Sequence, residues 1–409
     1  MIKRTIKKQI LEKMELFPVI VITGPRQVGK STLVVEIAKE KKYKYITLDS
    51  LEERKLALQD PKFFIESKGY PLIIDEIQYA PVLLEIIESI VNKYRIKNLQ
   101  SNGLFILTGS QTFQMMRGVT QSLAGRATII NMPNLSNNEI REKKERPFLP
   151  LLNNHVDAEI EKISVDDIFQ KIVKGFYPEI YKNRNMDAYS FYSAYISTYV
   201  DRDISEIINI KNKTRFHDFL MLLSSLTGQE LVYESLSKNL GISVVTIKEW
   251  ISALETSELI YLLKPYNELS ITKRIVKRSK IYFTDTGLAC HLMKIYDYKN
   301  LMVSRFAGQL FETYVFNELR KGYLNNGYPL DIYYYRDNHQ NEIDFILLNS
   351  GSLHFIECKK GMLFDLKDVK AFNCLSETKY KIGESGIICL TDKVYSLKKD
   401  IHVFPVLLI

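Results

Sequence analysis

Gly24-Pro25-Arg26-Gln27-Val28-Gly29-Lys30-Ser31-Thr32 is the stretch on which the fold turns. The apolar run Val19–Thr23 leads into it as a strand, and Thr32–Lys39 continues as a helix. Strand, glycine-rich loop and helix are the parts of a phosphate cradle. The glycines let the backbone pass close to an anion, and the N–H groups at the helix start face it. Lys30 can then reach the β- and γ-phosphates, and the Ser31 hydroxyl can take Mg²⁺. ATP with Mg²⁺ is the ligand this loop predicts.

Working outward, short apolar runs at Tyr45–Leu48, Leu72–Ile74, Leu104–Thr108 and Thr128–Asn131 alternate with helical stretches, which predicts a parallel α/β sheet. Pro71-Leu-Ile-Ile-Asp75-Glu76 ends its strand in two carboxylates. At the sheet edge beside the loop, Asp75 would hold Mg²⁺ through water and Glu76 would orient and deprotonate the attacking water. Phe105-Ile-Leu-Thr108-Gly-Ser110-Gln111 ends in hydroxyls, which also suit a strand-end turn. Charge builds on the γ-phosphate oxygens during transfer, so an arginine is expected nearby. Arg126, in Leu123-Ala-Gly125-Arg126, is the candidate, acting in its own subunit or in a neighbour's. Arg202, in Asp201-Arg202-Asp203, is more simply used up in a local ion pair.

These motifs resemble the AAA-type ATPase domain of a prokaryotic family of ATP-binding proteins. Its members pair that domain with a C-terminal domain of unknown function numbered 4143, read here as a winged helix plus a restriction-endonuclease-like domain. Leu123–Arg126, Gly175-Phe-Tyr-Pro-Glu179 and Tyr199-Val-Asp-Arg-Asp203 share in the resemblance, which runs from about residue 15 to 360. It implies an ATPase of unstated substrate. It also implies that a polar residue at the third strand end, Thr108, senses the γ-phosphate.

Farther along, Leu231–Leu240 predicts a helix, Gly241-Ile-Ser243 a turn and Val244–Glu258 a second helix before the strand Leu259–Leu263. Leu236, Leu240, Ile242, Ile247, Ile251 and Leu254 would hold the two helices at a helix-turn-helix angle. Ile271-Thr-Lys-Arg-Ile-Val-Lys-Arg-Ser-Lys280 then places five cations in ten residues with no acid. Lys273, Arg274, Lys277 and Arg278 suit a basic wing that follows DNA phosphates, although such a hairpin also serves as a solvated or interdomain element.

Near the C-terminus, Glu312 falls on a helix, Asp344 in Ile343-Asp-Phe-Ile-Leu, and Glu357 and Lys359 in Phe355-Ile-Glu-Cys-Lys359. Twelve residues separate the two acids, enough for a hairpin that brings them together. This pattern is similar to the restriction-endonuclease-like fold. That resemblance implies a second Mg²⁺ on Asp344 and Glu357, with Lys359 steadying the attacking water. The alternative is an inactive nuclease-like domain kept for binding.

At about 150 residues per domain, 409 residues suggest two to three domains. The expected division is an ATPase domain at 1–150, a helical region at 151–230, a winged helix at 231–295 and an α/β restriction-endonuclease-like domain at 300–409. An apolar fraction of 46% and a charged fraction of 25% exclude a disordered chain. Net charge of +8 permits nucleic-acid contact without demanding it. Four scattered cysteines and six histidines give no zinc or disulfide framework. No run approaches a membrane span, so a cytoplasmic protein is expected. The function these features predict is a Mg²⁺-dependent, DNA-associated ATPase, with homo-oligomers and a protein partner open. The competing readings are an ATP-gated endonuclease and a scaffold ATPase.

Overall fold

The computed structural model describes residues 2–97, 99–109, 119, 122–156, 160–161, 164–204, 210, 212–267, 278–375 and 378–409, with backbone alone at 201–204. They fall into two compact units. The first comprises 1–135 with 256–258 and 324–327, and the second the remainder.

In the first unit, β1 (Val19–Thr23), β2 (Lys44–Thr47), β3 (Leu72–Asp75), β4 (Phe105–Thr108) and β5 (Ala127–Asn131) form a parallel sheet in the order β2-β3-β4-β1-β5. Strands β1, β3 and β4 are buried along their whole length, which explains their unbroken apolar sequence. Helix α1 (Ile6–Met14) buries Ile6, Ile10 and Met14, one face at helical spacing. Helices α2 (Lys30–Lys41), α3 (Leu51–Gln59), α4 (Pro61–Lys68) and α5 (Leu83–Ile96) supply the crossovers. Because every strand runs the same way, Thr23, Asp75 and Thr108 finish at one edge of the sheet.

The second unit opens with helices. Gly175, at φ 73°, lies where a Cβ would run into the Tyr192 hydroxyl. Asp285 fills the adjoining space. It accepts from Phe176 N at 2.8 Å, Tyr192 Oη at 2.6 Å and Leu288 N at 2.9 Å. The Gly-Phe-Tyr-Pro motif therefore has a packing explanation. Helices Tyr233–Leu240 and Val244–Thr256 follow, against an antiparallel sheet of β6 (Gln229–Glu230), β7 (Ile260–Leu263) and β8 (Lys280–Phe283) in the order β6-β8-β7. Leu236, Ile247, Ile251 and Leu254 are buried as expected, while Leu240 and Ile242 are half-buried. Trp250 adds a contact the helix pattern did not single out, its ring edge-on to Phe216 at 5.1 Å.

The long helix Ala307–Asn326 leads to a mixed sheet. It contains β9 (Ile332–Arg336), β10 (Glu342–Asn349), β11 (Ser352–Lys359), β12 (Lys381–Ile382), β13 (Ser385–Cys389), β14 (Tyr395–Lys398) and β15 (Ile401–Pro405). Its path is β14-β15-β13-β11-β10-β9, with β12 paired to β11. The hairpin of β10 and β11 pairs Phe345 with Ile356, so Asp344 and Glu357 meet across it. A bulge between Ile343 and Ile346 against β9 re-aims the backbone at Asp344. Among the described residues, no helix is long and apolar enough to cross a membrane.

Candidate functional site

The glycine loop wraps tightly between β1 and α2. Gly24, at φ 140°, lies where any Cβ would run into the Met132 carbonyl, and Gln27 and Gly29 also take positive φ. These angles turn the chain so that α2 starts directly at Lys30, with Gly29 before it. Lys30 is buried, and its ammonium donates to the carbonyls of Gly24 and Pro25 at 2.8 Å each. Burial lowers its pKa to about 8, against the pull of Glu76, Glu258 and Asp75.

Asp75 is held from two sides. The Thr108 hydroxyl donates to Oδ1, and the Tyr45 hydroxyl donates to Oδ2 at 2.8 Å. Glu76 takes a left-handed conformation at φ 59°, which turns it out of the strand line. Its N–H donates to Thr108 Oγ1 at 3.3 Å, and its carboxylate accepts from the Gln78 amide. Burial raises the Glu76 carboxyl, against Gln78 and Lys30. Lys30, Asp75, Glu76 and Thr108 thus lie together at one sheet edge. Thr108 spends its hydroxyl on Asp75, so its direct work is to fix that carboxylate. Ser110 and Gln111 lie outside the described residues.

Arg126 lies elsewhere. Val19 N donates to its carbonyl, which puts it at the opposite end of β1 from the glycine loop. Five residues of strand span about 16 Å. A γ-phosphate contact within the same chain is therefore corrected: the arginine precedes β5, where a parallel sheet has its far edge. Its guanidinium pairs with Glu88 at 3.3 Å and donates to Asn92 Oδ1 at 2.8 Å. The side chain of Arg202 lies outside the described residues.

Three residues near the nucleotide edge escaped the sequence reading. Tyr45 sits in an ordinary strand, and no motif marks it. Arg4 donates to Val28 O and to Pro133 O at 2.7 Å each, tying the glycine loop to the exit of β5. Glu258 was expected to end a helix. It instead belongs to the first unit and accepts from the Asn131 amide.

The carboxylates of the second unit also meet, around a cation the motif does not contain. Lys280 is buried on β8, with Glu312 at 3.0 Å, Glu342 in contact and Asp344 at 3.8 Å. Burial works to lower its pKa, but Glu312, Asp344 and Glu342 outweigh it and hold the ammonium above its ordinary value. Asp344 Oδ2 accepts from Cys358 N at 2.8 Å, and Glu357 pairs with Lys359 at 2.7 Å. Burial, then Glu312 and Glu357, push the Asp344 carboxyl well up. Lys280 is therefore no part of an exposed basic wing. Arg278 is exposed, while Lys273, Arg274 and Lys277 lie outside the described residues.

Comparison with known proteins agrees with the fold of the first unit. Residues 16–141 match the family model of an AAA domain, and 307–409 match a domain of unknown function, 4143. The chain is an AAA-domain protein with a 4143 domain at its C-terminus. The intervening 165–299 match another domain of unknown function, 8612, so the helices Tyr233–Leu240 and Val244–Thr256 fall under that model and the 4143 match covers the mixed sheet. An uncharacterized protein of Mycobacterium tuberculosis is 24% identical over 345 residues, covering 84% of this chain and 70% of the relative. Another, of Methanocaldococcus jannaschii, is 26% identical over 302 residues, covering 66% and 61%.

Among solved structures, the Walker-type ATPase of Pyrococcus abyssi is similar at TM-score 0.40 and 14% identity, over 70% of this chain and 94% of that one. The Holliday junction branch migration motor RuvB of Thermotoga maritima is similar at TM-score 0.30 and 19% identity, over 63% and 88%. At the coarse level the match gives residues 16–141 an AAA-type P-loop ATPase fold.

Proposed function

We propose that the AAA domain binds ATP with Mg²⁺ and hydrolyses it, with Lys30 on the phosphates and Glu76 activating water. The observation that carries this is the meeting of Lys30, Asp75, Glu76 and Thr108 at the C-terminal edge of a parallel sheet. Gly24 to Thr32 would cradle the phosphates. The Ser31 hydroxyl and the Asp75 carboxylate are hard oxygen donors, the kind Mg²⁺ takes. Metal held there would supply positive charge against the phosphates. Lys30 must then leave two backbone carbonyls for the phosphates, and Glu76 must leave Gln78 for water. ATP binding and release thereby gain a local switch.

The finer reading is association with DNA through the helix-turn-helix and the hairpin after it. Ser243, Lys248 and Glu249 are exposed at the start of the second helix, and Arg278 is exposed just before β8. This reading keeps the four-part division at 150, 230 and 295, and a cytoplasmic setting. A homo-oligomer is the one arrangement in which Arg126 could meet a γ-phosphate, at the expense of its contacts with Glu88 and Asn92. The test is phosphate release with and without duplex and single-stranded DNA across a salt series. Stimulation that falls steeply with salt supports DNA association. Equal rates throughout, with no binding at low salt, transfer the C-terminal half to a protein partner.

A further inference from the structure

The restriction-endonuclease-like resemblance asks Asp344 and Glu357 to share a divalent metal, with Lys359 beside it and Glu312 on the rim. The donors present do not fit that demand. Glu312 Oε1 already takes the Lys280 ammonium at 3.0 Å and the Tyr282 hydroxyl at 2.5 Å. Asp344 divides its oxygens between that ammonium at 3.8 Å and the Cys358 N–H at 2.8 Å. Glu342 joins the same ammonium, and Lys359 takes Glu357 at 2.7 Å. Among the described residues, no group of three or more His, Cys, Asp or Glu side chains is disposed to hold a metal.

We infer that Lys280 is the resident cation of this pocket, standing among Glu312, Glu342 and Asp344 where a divalent metal would otherwise sit. The side chain reaches the cluster from β8, on which it is 2% exposed. An ammonium there meets three carboxylates from one helix and one strand, so it holds β8 to the mixed sheet. Lys359 is then a partner of Glu357 and has no bound water to steady. The 4143 domain is a metal-independent module that retains a nuclease-like arrangement of acids. ATP hydrolysis in the other unit plays no part in this inference, and either can fail alone.

The experiment is a Mn²⁺ titration of the full chain without nucleotide, followed by the electron paramagnetic resonance of the free ion. Wild type and Asp344→Asn should bind the same number of ions. Lys280→Met should gain one site, at least tenfold tighter than any wild-type site, and Lys280→Met/Asp344→Asn should lose it. An Asp344-dependent site in wild type overturns the inference, and so does a folded Lys280→Met protein that gains none. If Lys280→Met does not fold, the wild-type and Asp344→Asn pair still decides. Equal binding upholds the resident lysine, and one ion fewer in Asp344→Asn rejects it. Mn²⁺-dependent plasmid nicking that disappears in Asp344→Asn also rejects it.

Discussion

Asp75-Glu76 and the Asp344, Glu357 pair look alike as sequence. Each lies on or just past apolar strands, and each has a lysine within reach. They differ in where the lysine spends its charge. Lys30 rests on two backbone carbonyls, leaving Asp75 to a pair of hydroxyls and Glu76 to an amide. Neutral partners of that kind are exchanged at little cost when phosphate and metal arrive. Lys280 rests on the carboxylates themselves, so their charge is already met. Acidic motifs alone do not tell a working site from a structural ion cluster. The position of the nearest buried cation does.

The largest effect expected from this contrast is on stability. Lys280→Met leaves buried acids without their cation and should cost ~3–5 kcal/mol, measured by urea unfolding. Lys30→Met removes a buried charge whose direct partners are two carbonyls, and because burial disfavours that charge the change should cost little or be stabilising. Similar losses at both positions would erase the distinction drawn here.

The second effect concerns protons. With its pKa at about 8, the ligand-free Lys30 should be about half protonated at pH 8. A triphosphate beside it restores the charge, so ATP binding should take up about half a proton at that pH. Calorimetry in two buffers of different ionisation enthalpy reads this directly, and Lys30→Met should abolish the uptake. The same lowered pKa makes this residue's contribution to stability rise with pH between about 8 and 10.5, where the unfolded chain holds the additional proton.

Arg126→Ala should lower stability by about 1 kcal/mol or less, since its pair with Glu88 is partly exposed. Nucleotide affinity at concentrations where the protein is monomeric should not change. A loss of affinity there would return the arginine to its own chain's site. The smallest effect is expected at Tyr45. Tyr45→Phe frees one oxygen of Asp75 and should shift the Mg²⁺ half-saturation of turnover a few-fold, consistent with one hydrogen bond of about 1 kcal/mol. An unchanged Mg²⁺ curve would make that hydroxyl a packing feature only.

Much of the first unit was legible because its signals are local. Five apolar strands and the Gly24–Ser31 loop specify a parallel sheet and the edge where chemistry gathers, and the strand bounds differ from expectation by one residue at most. The own-chain alternative for Arg126 fails because a glycine-arginine turn carries no information on which end of the sheet it occupies. Tyr45 and Lys280 were not recognised as site residues for a related reason. Their partners lie 30 or more residues away, and nothing in a strand's own pattern names them. Lys280 was also masked by its neighbours, since a run of cations suggests a solvated surface. Strand alternation, with Ile281 and Phe283 buried beside it, gives no warning of a buried lysine. Strands β13 and β15 had signals of their own, Ile387-Ile388 and Val403-Phe404, but no motif led to them.

The central claim is that the carboxylates of the AAA domain are available for chemistry. Glu76→Gln tests it most directly, with ATP affinity and phosphate release measured on the same preparation. Glutamine keeps the shape and removes the base, so affinity should stay within threefold of wild type while turnover falls by about two orders of magnitude or more. Turnover within twofold of wild type would contradict the account.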